Sequence, residues 1–276
     1  MSHSQLASRF SRNSAVIRGD SALSDDQIAR VAPSIFAEAK HDSRSQRYTY
    51  IPTSEILTAL RKEGFQPFYA CQTRVRDEGK REHAKHMLRL RHTSQINGKE
   101  ANEIILLNSH DGSSSYQILA GVYRFVCCNG MVCGETIQDV RIAHKGDVIG
   151  HVIDGTYSVL DEFDMVGGEI ENMRNVRLSS DAQQAFAESA LLLKYEEEAA
   201  PIAASSLLTA KRTEDISVSL WGTFNRVQEN LVRGGIAGRT QQGRKTKTRA
   251  VTGIDGNIGL NRALWALANK MRELVK

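Results

Sequence analysis

The spacing of apolar residues along this chain changes near residue 155. Between about residues 48 and 153 the apolar positions recur at close to every second residue, the period of a half-buried strand. Pro52-Thr53-Ser54-Glu55 predicts the cap of a short helix whose apolar face is Ile56, Leu57 and Leu60, and Gly64 ends it. Residues 68–76 then alternate, with Tyr69, Cys71, Thr73 and Val75 on one side and Phe68, Ala70, Gln72, Arg74 and Arg76 on the other. Residues 86–92 alternate again, Leu88 and Leu90 inward, Met87, Arg89 and Arg91 outward. Joined by a turn at residues 76–80, these strands predict a hairpin with four arginines near its outer surface. Residues 104–107, 116–127 and 148–153 are further strand candidates, and for 116–127 the period also admits a helix. Asn129-Gly130 carries the signal of a two-residue turn and predicts a chain reversal.

Beyond residue 155 the apolar steps lengthen to three and four. Residues 157–173 and 180–195 read as one helical pair and 217–232 and 261–275 as a second, joined by the glycine-rich stretch 234–259. A link that long inside a compact domain implies function or disorder. Residues 1–45 are polar and Ser-rich, with one helix expected after Ser24-Asp25-Asp26-Gln27 on the strength of Ile28, Val31 and Ala32, and the rest weakly held. The expected organisation is a polar arm (1–45), a β-rich core (46–155) and a helical region (156–276) containing a basic loop at 233–249. Strands first and helices afterwards give an α+β class with an antiparallel sheet.

Composition is that of ordinary globular material: 276 residues, 41% hydrophobic and 25% charged, enough for one large or two modest cores. The net charge of +4 is weak, so its placement matters more than its sum. Residues 74–91 and 233–249 are dense in Arg and Lys, and the second stretch contains no Asp or Glu. Crowded like charges call for an anionic partner, most commonly phosphate. The candidate nucleic-acid-binding residues are Arg74, Arg76, Lys85, Arg89, Arg91, Arg124, Arg233, Arg239, Arg244, Lys245, Lys247 and Arg249. Tyr48, Tyr50, Tyr69 and Tyr123 are candidates to stack on unpaired bases. Between the basic stretches, Asp161, Glu162, Asp164, Glu169 and Glu171 form an acidic face on the first long helix. No apolar run approaches the roughly 20 residues a bilayer span needs. Met1-Ser2-His3-Ser4-Gln5 lacks a signal-peptide pattern, so no membrane and a cytoplasmic location are expected. Cys71, Cys127, Cys128 and Cys133 read as reduced core cysteines, and Cys128 and Cys133 with His110 or His144 match zinc spacing poorly.

The run Asn108-Ser109-His110-Asp111-Gly112 supports two readings. Asp-Gly is a turn signal; alternatively His110 and Asp111 are a general base or a metal-ligand pair, provided the turn bends them together. His83 and His86, among Lys85 and Arg89, would add hydrogen bonds near the same anionic surface. Arg124, in apolar company, either reaches solvent or meets a carboxylate or phosphate. Residues 238–245 keep the glycine spacing of a phosphate-binding loop, but Arg244 stands where Lys is required and Lys245 where Ser or Thr is. An ATPase is thereby excluded, no dinucleotide fingerprint is present, and no cofactor is expected.

Several stretches resemble a prophage- and plasmid-borne family of unknown function that includes the YafZ and YfjQ proteins. They are Tyr48 with Ile51-Pro52-Thr53-Ser54, Gln72-Thr73-Arg74-Val75-Arg76, His86-Met87-Leu88-Arg89-Leu90-Arg91 and Leu107-Asn108-Ser109-His110-Asp111-Gly112. Arg124-Phe125-Val126-Cys127, Asn129-Gly130, Phe224-Asn225 and Gln228-Glu229-Asn230 continue the match over about residues 48–265. The resemblance implies a mobile-element setting and, by analogy, work like that of Red-beta- and Erf-type annealing proteins. The resulting expectation is a non-enzymatic, homo-oligomeric protein that binds single-stranded DNA or RNA and takes part in ATP-independent annealing or recombination. Two alternatives stand beside it: an interaction protein that inhibits a host defence or restriction factor through the acidic face, and a metal-assisted nucleic-acid enzyme using His110, Asp111 and His144.

Overall fold

The computed structural model describes residues 14–43, 50–75, 77–96, 98–125, 129–133, 140–142, 148–196 and 199–275. The chain forms two compact units, one of Met1–Met131 with Thr136–Phe163 and one of Val132–Glu135 with Asp164–Lys276. The class is α+β, strands in the first part and helices in the second.

The first unit is built on a sheet of β1 (Ser14–Arg18), β2 (Phe65–Thr73), β3 (His86–His92), β4 (Glu100–Asn108), β5 (Tyr116–Arg124) and β6 (Asn129–Val132), neighbours in that order, with β7 (Val140–Ile142) also on β5. From β1 to β5 the pairing is antiparallel. Ala70, Leu88, Leu90, Ile104, Leu106, Ile118 and Ala120 alternate along four strands onto one face and form the core with α1 (Asp25–Val31), α2 (Thr53–Lys62) and the start of α3 (Val148–Asn175). The opposite face is buried as well, because the sheet curls: Arg18 of β1 stands 6.0 Å from the ring of Tyr123 on β5. The concave interior therefore holds Cys71, Met87, Ile105, Leu107 and Leu119 together with charged side chains.

This curl corrects the expected placement of two arginines. Arg89 and Arg91 do not lie on an outer surface; they are buried with Glu103, whose oxygens lie 2.6 Å from Arg89 Nε and 2.8 Å from Arg91 Nε. Arg91 sits 3.5 Å from the Tyr123 ring and 4.5 Å from that of Phe68, and Arg89 donates to the Met131 carbonyl at 2.9 Å. Asn129-Gly130 opens β6 instead of making a turn. Gly130 has no positive φ; a Cβ there would lie 2.3 Å from Arg89 Nη1, so glycine supplies room for the guanidinium.

Three further expectations change. Residues 148–153 begin a helix, since Val152, Thr156, Val159 and Phe163 repeat at helical steps into the core and that period overrides the β-branched run. The segment 14–36 is part of the core: β1 pairs with β2, and Ile17, Leu23, Ile28, Ala32 and Ile35 are buried. In the second unit α4 (Ser180–Leu192) and α5 (Leu220–Arg233) agree with expectation, but α6 (Ile254–Leu274) starts seven residues earlier than residue 261. Ile254, Ile258, Leu264, Trp265 and Ala268 make its buried stripe, which outweighs the helix cost of Gly256 and Gly259. Trp221, Phe224 and Trp265 pack in the same unit, where Glu169 accepts from the Trp265 indole at 3.1 Å.

Candidate nucleic-acid interface

The basic stretch after α5 is an ordered two-stranded ribbon, β8 (Ala237–Arg239) and β9 (Lys245–Lys247). Gly234 ends α5 at φ 61°, its N–H bonded to the Asn230 carbonyl at 3.1 Å, as expected of a glycine helix stop. The return strand then alternates with period two: Thr246 and Thr248 turn inward, Lys245, Lys247 and Arg249 outward. Thr248 pairs with Ile236 through its N–H at 2.9 Å and accepts the Ile236 N–H on its hydroxyl at 3.0 Å.

The inward face rests on the 201–202 segment. Arg239 N–H donates to the Pro201 carbonyl at 2.8 Å, and a Cβ on Gly238 would stand 2.0 Å from that oxygen, so only glycine permits the approach. Lys194 pins the base, donating to the carbonyls of Leu231 and Arg249 at 2.7 and 2.6 Å. A cation is favoured at the α5 C-terminus, although partial burial lowers the lysine pKa to about 8. The tip is closed by Thr240 N–H to Arg244 O at 2.9 Å, Gly243 N–H to Thr240 O at 2.8 Å and Arg239 Nη1 to Gly243 O at 2.9 Å.

The result is a rigid base with a cationic exposed face. Arg239 and Lys245 are directly opposite in the register, and Lys247 follows one pleat along. Like charges facing across a strand pair repel. Arg239, Arg244, Lys245, Lys247 and Arg249 are all exposed, and among the described residues none of them is paired with a carboxylate.

The other sequence-predicted cations are placed differently. Arg233 lies 3.1 Å from buried Glu229, which also contacts Arg212 and, at 4.0 Å, Lys211. Arg124 meets Glu100 at 3.6 Å, the carboxylate option. Arg74 is exposed and Lys85 half-buried, both in the first unit, whereas the ribbon belongs to the second. Arg76 lies outside the described residues, as do Tyr48, Cys127, Cys128 and His144. The strand tyrosines are engaged internally: Tyr123 is buried against Arg91, Tyr69 lies under Arg18, and the half-buried Tyr50 donates to the Ala37 carbonyl beside the His110 ring.

The motif at residues 108–112 is a turn above a buried polar network. Asp111 accepts from Ser113 N–H at 2.9 Å and Gly112 has φ 73°. His110 is buried, its ring 5.2 Å from that of His86, and so is closed to a nucleic-acid substrate. Asn108 donates to Thr53 Oγ1 at 3.0 Å, which approaches His86 Nε2 at 2.9 Å; His86 Nδ1 lies 3.1 Å from the Ala84 carbonyl and 2.8 Å from Ser34 Oγ. A carbonyl only accepts, so Nδ1 carries the proton and Nε2 accepts from Thr53. Asn129 lies in β6. Among the described residues no group of three or more His, Cys, Asp or Glu is arranged to hold a metal ion, and no helix among them is long and apolar enough to cross a membrane.

Lys194 and the tip residues Gln241 and Gln242 were not expected at this interface. The Lys-Thr-Lys-Thr-Arg alternation at 245–249 was the available signal for the ribbon.

Comparison with known proteins gives a consistent result. Residues 40–265 match the model of a domain of unknown function, DUF932. The chain is 54% identical over 267 residues to UPF0380 protein YafZ of Escherichia coli (strain K12), covering 97% of each. It is 53% identical over 267 residues to UPF0380 protein YfjQ of the same strain, again covering 97% of each. No solved structure matches.

Proposed function

This chain belongs to the DUF932 family, and from the build of its ribbon we propose that it binds nucleic acid through the phosphate backbone. One observation carries the reading: Arg239, Arg244, Lys245, Lys247 and Arg249 stand exposed on a braced ribbon in a stretch without a single acidic residue. A fold that holds Arg239 opposite Lys245 bears their repulsion in the free protein, and phosphate oxygens would relieve it. Arg89, Arg91 and Arg124 on the curled sheet take no part, since each already meets a carboxylate.

The test is fluorescence anisotropy with labelled oligonucleotides in a salt series. Binding should fall with salt by about 0.7–0.9 in log–log slope per phosphate neutralised. The combined variant Arg239→Ala, Arg244→Ala, Lys245→Ala, Lys247→Ala should lose most of that slope while its circular dichroism and melting temperature stay near the parent's. Failure of the parent protein to bind either strand form at about 50 mM salt, where phosphate contacts are strong, sinks the reading.

A further inference from the structure

Resting on that reading, we infer that the ligand is a double helix and that the ribbon tip enters its major groove. Three observations point this way. First, residues 233–253 contain no aromatic side chain. Sequence-tolerant binding of single strands relies on aromatic platforms for unstacked bases, and the ribbon offers none. Of the tyrosines named as stacking candidates, the three described, Tyr50, Tyr69 and Tyr123, are engaged inside the first unit.

Second, the dimensions fit one groove and not the other. Two paired strands stand about 4.8 Å apart, and with their side chains they suit the roughly 12 Å major groove, which admits a two-stranded ribbon, while the roughly 6 Å minor groove does not. The body holds the ribbon at Pro201 through Arg239 N–H, and residues 240–244 beyond that anchor are all exposed. Two residue steps past the anchor reach about 7 Å, comparable to a groove depth of about 8.5 Å.

Third, the side chains are sorted along the ribbon. Gln241 and Gln242 lie at the exposed tip, and glutamine is a side chain whose paired donor and acceptor match the adenine edge in that groove. Lys245, Lys247 and Arg249 follow toward the base, on the face available to phosphates flanking the groove. Positioning contacts at the base and base-edge contacts at the tip are the division of labour a groove-reading ribbon requires.

The experiment uses the full chain and three readouts. Affinities for a single strand and for its duplex of equal length are compared at one salt concentration. The duplex complex is then challenged with methyl green, which occupies the major groove, and with netropsin, which occupies the minor groove. Finally, Gln241→Ala with Gln242→Ala is compared with the parent on duplexes of differing sequence. Duplex binding on the order of tenfold tighter, displacement by methyl green and not by netropsin, and a flattened sequence preference in the tip variant are expected. A single strand bound as tightly as the duplex, displacement by netropsin alone, or a tip variant whose sequence preference equals the parent's overturns the groove inference while leaving phosphate binding intact. Absence of binding to both forms overturns the underlying reading as well.

Discussion

Glu103 is the side chain on which the interior of the curled sheet depends. It is buried and faces two arginines, Arg89 at 2.6 Å and Arg91 at 2.8 Å, so the cluster carries one more positive than negative charge. Stacking of Arg91 over Tyr123 and Phe68 and the bond from Arg89 to Met131 spread that excess. Removing the carboxylate leaves two desolvated guanidinium groups without a counter-charge, a change that costs about 3–5 kcal/mol. Glu103→Ala should therefore lower the urea midpoint sharply, and a midpoint equal to the parent's would contradict this account of the core. His86 makes a second residue-level prediction. Burial, followed by the neighbouring His110, lowers its pKa from 6.5 to about 3 despite the opposing influence of the Ala84 carbonyl and Asp111. The folded protein thus keeps His86 neutral where the unfolded chain binds a proton, so stability falls as pH drops from about 6.5 toward 3. The slope from this one group is at most about 1.4 kcal/mol per pH unit. His86→Gln should flatten the difference between urea unfolding free energies at pH 7 and pH 5, and an unchanged difference would remove His86 as its source.

At the scale of elements, what could be read depended on whether a local pattern was enough. The alternation in residues 86–92 gave β3 with its observed bounds, whereas β2 begins and ends three residues before the expected 68–76, because a register shift between Pro67 and Tyr69 breaks the two-residue period there. The side given to Arg89 and Arg91 was wrong for a different reason. Alternation separates two faces but does not say that both are buried, and a charged face is ordinarily a wet one. What turns this face inward is the curl, and what makes it tolerable is Glu103, directly across from Arg91 in the β3–β4 register and diagonal to Arg89. That register is a property of the assembled sheet and is not written in either strand alone. Asn129-Gly130 misled in a related way, since a glycine needed for close approach looks the same in sequence as one needed for a turn. The ribbon was more legible than the long-loop reading allowed. Thr246 and Thr248 alternate with Lys245, Lys247 and Arg249, the pattern of a half-covered strand, and Gly238 marks where it touches its support.

For the molecule as a whole, the placement of charge outweighs its total. The net charge is +4, too small to hold a polyanion by itself, while residues 233–249 contribute six cations and no acid. If distribution and not total governs binding, two variants of equal net charge must behave differently. Removing four positive charges from the ribbon, at Arg239, Arg244, Lys245 and Lys247, brings +4 to zero; so does removing four from exposed sites on the first unit, at Lys62, Lys80, Arg81 and Lys99. Each phosphate released from a binding surface reduces the log–log salt slope by about 0.9 on duplex DNA, so the ribbon variant should give up roughly 3–4 in slope if all four cations engage. The first-unit variant keeps every cation of the ribbon. Its slope should therefore stay within about one phosphate of the parent's. Both slopes come from the same anisotropy titrations, with melting temperatures measured alongside to confirm that each variant is folded. Equal losses in the two variants would mean that the protein answers only to total charge, and the ribbon would then have no special claim on nucleic acid.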